Sequence, residues 1–481
     1  MNRRHLIAAA GVVLAFASSA LAGPVQDDLK ARRARVMDRI GPDGMMIVWA
    51  VPNNENFFYL TNVGQDDSVL VLMPGNQTRR EILFVRAFDP VREHWNGHSL
   101  SAKEATEATG IETVYTLNQF EPFMSAMFSQ QPFGLGSSPS GLGPNATNAE
   151  TEFATFFKAL EENRARLSLI LGRRSLNEAP SQPAQFANKL RERFFGFSVS
   201  DGTSIVNALR QIKTPYEQDI MRKSVKISSD AHMAGMRAAA AGRNEYEVES
   251  AIEAVYLKNG AMKPGYDSIV GSGPNSTVLH YNESSRLMTD GDVLLVDAAG
   301  SYQGYTGDIT RTYPVNGKFT KEQRDIYEIV LAAQQAGIEV SRPGGRTTDI
   351  TRACADVIKN GLLKLGLITD ASGEQFRIWY THGPTHWLGL NVHDVGTTNV
   401  LAPGMAFVIE PGIYIREAAL DNLPKTAENL AFIEKVRPVV QKYKNIGVRI
   451  EDSFLLTDAG LERLSVTVPR TVAEIETFMK K

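Results

Sequence analysis

Cysteine is almost missing from this sequence. The one thiol, Cys354, leaves no internal disulfide to form, so stability must come from packing. It falls in the helix-like run TDITRACADVIKNGLL, which predicts a buried structural thiol rather than a nucleophile. Charge of neither sign dominates: 51 Lys and Arg stand against 54 Asp and Glu, a formal net charge of −3. That leaves no basic footprint for a nucleic acid. Beyond the N-terminus no apolar run is long enough to span a bilayer. H-E-x-x-H, G-x-x-x-x-G-K-[ST] and paired C-x-x-C are all missing, and Gly271-Ser272-Gly273 alone reads only as a flexible turn. What remains is 43% apolar and 22% charged, an ordinary globular composition with length for two domains.

The first residues carry an address. MNRRHLIAAAGVVLAFASSALAG has a basic start, an apolar run from Leu6 to Phe16, and Ala20-Leu21-Ala22 before Gly23. Residues 1–22 thus read as a secretory signal peptide with an A-x-A cleavage site. The expectation is an exported protein, periplasmic or secreted. Arg3-Arg4 loosely suggests the twin-arginine route, and a Sec signal fits as well.

Two textures follow. Residues 24 to about 203 mix strands and helices: SVLVLM (68–73) and ILFV (82–85) read as strands, and AETEFATFFKALEENRARLSLIL as one amphipathic helix. FGLGSSPSGLGPNATN (133–148) has linker composition. From Ile205 helical runs end at Gly242 and Gly260, and further helices are expected at 320–341 and 347–366. Strand-like runs occupy 292–300, 306–315, 406–415 and 447–457. This half reads as α+β with a mainly antiparallel sheet.

The chemistry concentrates in that half. His382, His386 and His393 fall within twelve positions, in a chain with eight histidines. In VLLVDAAGSYQGYTGDITRTYP a hairpin folded about Tyr302-Gln303 sets Asp297 opposite Asp308, with Cβ atoms about 5 Å apart. Like charges that close need a cation between them. Glu410 and Glu451 each end an apolar strand run, where a buried carboxylate must be paired or metal-bound. Each alone reads as a strand-end acid facing water, Glu451 with Arg449 as a local ion-pair partner, and His386 alone as a hydrogen-bonded core residue. Together four carboxylates and one imidazole are an inventory for two divalent ions, two acids bridging. Oxygen-rich ligation with one imidazole favours Mn²⁺, and Zn²⁺, Co²⁺ or Fe²⁺ also fit. Hydrolysis is the natural reaction class.

These residues resemble the pita-bread metallopeptidases, specifically the aminopeptidase P (Xaa-Pro aminopeptidase) family. The matching segments, in the family's order, are ALRQIKTPYEQDIMR, VGSGPNSTVLHY, LLVDAAGSYQGYTGDITRTYP, HGPTHWLGLNVHDVG, VIEPGIYI and GVRIEDSFLLT. The first half resembles the family's amino-terminal domain through ENFFYLTNVGQDDSVLVLMPG and FDPVREHWNGHSLS. The resemblance implies domains at 23–203 and 204–481, the second with a curved pita-bread sheet, and makes 133–148 a surface loop. It implies that Asp297 chelates one metal, that Asp308 and Glu451 bridge both, and that His386 and Glu410 hold the other. His280 and His393 become substrate-side donors to the scissile carbonyl, His382 a further pocket histidine, Tyr414 and Arg449 pocket or supporting residues, and Glu410 the proton shuttle. The implied substrates are peptides with proline at the second position, and the implied assembly is a dimer or tetramer.

The nearest rival is a prolidase, which uses the same ligands on Xaa-Pro dipeptides; the first half favours the aminopeptidase. Methionine aminopeptidase gives the export signal and the large first domain no evident use. A metal-free binding module or a creatinase-like hydrolase would have lost ligands, and all five are present. The chain departs from the family at Asn391, where Asp is usual, and in REAALDNLPKTAENLAFIEKVRPVVQKYKN, which reads as a charged helical insert near the cleft.

Overall fold

The computed structural model describes residues 23–51, 55–133, 151–172 and 175–480. The signal-peptide reading and nearly all of the 133–148 loop reading lie outside them. The first layer is a six-stranded mixed sheet in the order β4-β3-β2-β1-β5-β6. Its strands are β1 (Gly44–Trp49), β2 (Val69–Leu72), β3 (Glu81–Val85), β4 (Thr113–Thr116), β5 (Ala165–Leu169) and β6 (Phe197–Asp201). β1, GMMIVW, is buried throughout, and its side chains alternate between two cores. Met45, Ile47 and Trp49 join a Phe-rich cluster, whereas Met46 and Val48 enter the opposite one. A strand apolar on both faces belongs in the middle of a covered sheet.

The run read as one helix from Ala149 divides. The helix Ala154–Glu161 stops, Asn163 takes a left-handed φ of 57°, and the chain returns as β5. The apolar residues of RLSLIL alternate as in a strand, and the helical reading carried the period too far.

Helix Thr203–Gln211 leads into Thr214-Pro215-Tyr216-Glu217. Here Thr214 Oγ1 accepts from the Glu217 amide at 3.2 Å, and Glu217 Oε2 accepts from the Thr214 amide at 2.9 Å. This capping box, with Pro215 in the first turn, starts the 24-residue helix Pro215–Ala238. Helices Glu245–Lys258, Lys321–Val340 and Thr347–Leu365 share its core. Cys354 is buried there, its thiol donating to the Ala333 carbonyl at 3.2 Å.

The remaining strands pair only antiparallel among the described residues. They are β7 (Lys263–Pro264), β8 (Ile269–Ser272), β9 (Val293–Asp297), β10 (Gly300–Tyr302), β11 (Tyr305–Thr306), β12 (Thr310–Pro314), β13 (Ala406–Ile409), β14 (Gly412–Ile415), β15 (Ile446–Arg449), β16 (Asp452–Thr457) and β17 (Gly460–Arg463). Each long strand run of the sequence is broken in two. Asp297 is the last residue before one break, and Asp308, Glu410 and Glu451 lie within the others. Asp297 is still paired at the end of its strand, whereas Asp308, Glu410 and Glu451 sit at bends between paired runs, and the four carboxylates converge there.

The hairpin register differs from the expected one. Asp297 pairs with Thr310, Ser301 with Thr306 and Tyr302 with Tyr305, so the turn is Gln303-Gly304 and the register is shifted by two residues. Gln303 and Gly304 have φ of 49° and 85°, the two positive angles of a type I′ loop. Glycine at 304 was the available signal. A shift of two keeps both acids on one face but makes them diagonal rather than directly opposite. Before Asp308, a Cβ on Gly307 would lie 2.6 Å from the Val225 amide nitrogen, so glycine lets helix Pro215–Ala238 pass directly behind the acid.

The 416–445 insert is helical but does not border the cleft. Helix Ala427–Tyr443 buries Phe432, Val436, Val440 and Tyr443 in the large core, and Tyr443 donates to Asp325 on helix Lys321–Val340 at 3.1 Å. Its i, i+4 apolar stripe, more than its charges, decides where it packs.

Candidate metal centre

A cavity of about 610 Å³ is lined by Asp297, Asp308, His386, Glu410 and Glu451, the five side chains singled out as ligands, and by His280, His382, His393 and Arg449. Tyr414 is buried behind this wall. The segments that bring them together are far apart in sequence and meet at the strand breaks.

Asp308, His386 and Glu451 place ligand atoms within 4.8 Å of one another. His386 Nδ1 faces the Trp387 carbonyl at 3.1 Å, which can only accept, so that nitrogen carries the proton. Nε2 of the neutral ring then offers a lone pair. It faces Glu410 Oε1 at 3.5 Å, Asp308 Oδ2 at 3.6 Å and Glu451 Oε1 at 3.9 Å. Burial, then the neighbouring His393, hold this imidazole down to about 4.

The carboxylates are held the other way. Burial and then the charge of Asp297 push Asp308 up to about 8. Burial is also the main cause that lifts Glu410 and Glu451 well above the carboxylate range, with neighbouring acids adding to it. Glu451 Oε2 accepts from Thr310 Oγ1 at 2.7 Å, whereas its buried Oε1 finds no hydrogen-bond partner among the described residues. Lone pairs aimed at lone pairs, and an orphaned buried oxygen, fit a site made for cations. The residues present therefore suit a divalent cation.

Two supports surround them. Arg449 donates through Nη2 to Asp297 Oδ2 at 2.6 Å and through Nη1 to the Tyr414 hydroxyl at 2.8 Å. His382 Nδ1 lies 2.9 Å from the Gly383 carbonyl and must donate, so Nε2 accepts from Tyr414 at 2.8 Å. Arg449, Tyr414 and His382 thus form one directed chain, ending with His382 Nδ1 3.8 Å from Glu410 Oε2. Tyr266 was not legible. Its hydroxyl contacts Oδ1 of both Asp297 and Asp308, and it lies in the turn after β7, where no periodicity marks it. His393 stands edge-on to His386, ring centroids 4.4 Å apart, and faces the cavity with His280. Asn391 does not line this cavity; its Oδ1 accepts from Arg210 at 2.8 Å.

Comparison with known proteins agrees with this geometry. Residues 219–458 match the model of metallopeptidase family M24, and residues 50–133 match the aminopeptidase P N-terminal domain. The Xaa-Pro aminopeptidase of Escherichia coli K12 is 31% identical over 478 residues, covering 94% of this chain and 98% of its own. The human Xaa-Pro dipeptidase is 36% identical over 299 residues, covering 56% of this chain and 60% of its own. Among solved structures, Pseudomonas aeruginosa aminopeptidase PepP matches with TM-score 0.76 and 29% identity, over 94% of this chain and 98% of that one. Aminopeptidase P from E. coli with the inhibitor Pro-Leu matches equally well, with TM-score 0.76, 29% identity and the same coverage. The chain belongs to metallopeptidase family M24, and to its aminopeptidase P type.

Proposed function

We propose that this protein is a dinuclear metal-dependent aminopeptidase that removes the residue before a proline at the second position of a peptide. The observation that carries the metal assignment is the His386 lone pair facing Asp308, Glu410 and Glu451 beside an orphaned Glu451 oxygen. In this reading Asp297, Asp308, His386, Glu410 and Glu451 would hold the ions. When bound, the ions bring the pKa of water toward neutrality and polarise a carbonyl. His280 and His393 donate to the carbonyl oxygen as charge develops on it. Glu410, on the cavity wall 3.5 Å from His386 Nε2, takes the proton of the attacking water and returns it to the leaving nitrogen. Arg449 fixes Asp297, and the Tyr414–His382 chain steadies the Glu410 side of the cavity.

Coverage favours the aminopeptidase over the dipeptidase reading. The E. coli aminopeptidase aligns along almost the whole chain, the human dipeptidase along little more than half. Manganese is the proposed metal, on the oxygen-rich ligand set. Export to the periplasm or beyond is supported by the sequence of residues 1–22. A homo-oligomer, dimer or tetramer, belongs to the same proposal; the strong exposure of the apolar side chains Phe88, Val91 and Trp95 supports self-association, and light scattering tests it. The reaction is tested by replacing Asp308 with Asn in Mn²⁺-loaded protein. Loss of peptidase activity with the fold retained is expected; full activity in that variant, or in verified metal-free protein, overturns the reading.

A further inference from the structure

The stretch 387–400, which carries His393, contains no regular strand or helix. Ladder hydrogen bonds therefore do not fix that imidazole. Something else holds the stretch. Asp394 accepts from Arg210 Nη2 at 2.5 Å and from Lys213 Nζ at 3.1 Å, and these three side chains are at most 3% exposed. Arg210 Nη2 also donates to Asn391 Oδ1 at 2.8 Å, and Nη1 to Asn56 Oδ1 at 2.9 Å. Gln211 reads the backbone of the same stretch: Oε1 accepts from the Thr397 amide at 2.9 Å, and Nε2 donates to the Thr398 carbonyl at 2.8 Å. The fit is close. A Cβ on Gly389 would lie 2.1 Å from Asp394 Oδ2. The Asp394 amide closes the turn onto the Trp387 carbonyl at 2.9 Å.

A buried ion cluster of this kind is a poor way to gain stability, because desolvation offsets the attraction and apolar residues of similar volume serve as well. What it does supply is fixed geometry. The residue beside Asp394 is His393, which faces the catalytic cavity and stands against His386.

We propose that Arg210, Gln211 and Lys213 are positioning residues for the reaction: they clamp residues 389–398 through Asp394, Thr397 and Thr398 and so aim the His393 imidazole at the substrate carbonyl. This rests on the reading of His393 as a donor to the carbonyl. The clamp reaches no substrate itself. It ties the catalytic stretch to the helix before Thr214 and, through Asn56, to the first sheet's layer.

A double-mutant cycle on the Mn²⁺-loaded, full-length enzyme tests it. Lys213→Met leaves Arg210 and Asp394 as a one-to-one pair, and Arg210→Lys keeps the charge without the fork. Each is expected to lower kcat about tenfold to a hundredfold, with KM within about threefold and metal content unchanged. Amides 389–398 should exchange faster with solvent deuterium. In a His393→Ala background the same substitutions should cost less than about threefold further, because the group they aim is gone. Equal losses in both backgrounds overturn the clamp alone. A His393→Ala enzyme with undiminished kcat overturns both the clamp and the reading beneath it.

Discussion

Arg449 and Asp297 form a buried pair, Nη2 to Oδ2 at 2.6 Å, inside the cavity wall. The guanidinium takes one oxygen of the acid and turns the other toward Tyr266. It fixes a carboxylate that would otherwise rotate.

Arg449→Met is therefore expected to weaken metal binding about tenfold to a hundredfold, the usual cost of losing a group that orients a ligand. Breaking the buried pair should also cost about 3–5 kcal/mol of folding stability. Calorimetric Mn²⁺ titration and denaturant melts read the two effects. Unchanged metal affinity contradicts the assignment.

Asp308→Asn should separate function from stability. Asp308 sits among like charges, pushed up to about 8 by burial and then by Asp297. Replacing this carboxyl, whose raised value costs folding stability at any pH above the unfolded value near 3.9, should abolish hydrolysis yet raise the melting point of chelator-treated protein at neutral pH, by about 2–4 °C for each kcal/mol relieved. Wild-type protein should instead gain stability on adding Mn²⁺, with the gain lost in the variant. A chelator-treated variant that melts below wild type counts against a cation site.

Tyr414→Phe removes the link between Arg449 and His382. Two buried groups then lose a partner, at about 1–3 kcal/mol. We expect kcat to fall about tenfold with KM little changed, as when a group acting only in the transition state is disturbed. A rise in KM alone would make Tyr414 a ground-state contact.

Asp394 predicts a pH dependence. Burial pushes its carboxyl up, but Lys213 and Arg210 outweigh that and leave it below the usual carboxylate range. A depressed folded-state value means the stabilisation is full above the unfolded value near 3.9, and is lost as pH falls through the lower, folded one. Asp394→Asn should flatten that acid limb of the stability curve. An unaltered limb would show that Asp394 carries no linkage.

Legibility followed what governs each feature. The acids at the ends of apolar strand runs were visible because Asp297, Glu410 and Glu451 break local patterns that demand an explanation. β2 and β3 were visible for the same local reason. The hairpin register was misplaced by two residues, since Gly304, not Gln303, takes the second positive-φ position. RLSLIL was hidden behind a helix whose period ran into it. The insert was read from its charges, while Phe432, Val436 and Val440 send it to the core. Tyr266 and Gln211 carry no local mark at all: their partners are 31 and 186 residues away or more, and only the folded chain joins them.

The most direct test is hydrolysis by the purified protein after Mn²⁺ loading, against a chelated control. The substrates are Gly-Pro, Arg-Pro-Pro, and the tripeptide with Ala in place of its first Pro. Chelator-sensitive cleavage of Arg-Pro-Pro, with little on the other two, is the predicted result. Cleavage of Gly-Pro alone would make the protein a dipeptidase, and no cleavage under any of Mn²⁺, Zn²⁺, Co²⁺ or Fe²⁺ would contradict the account.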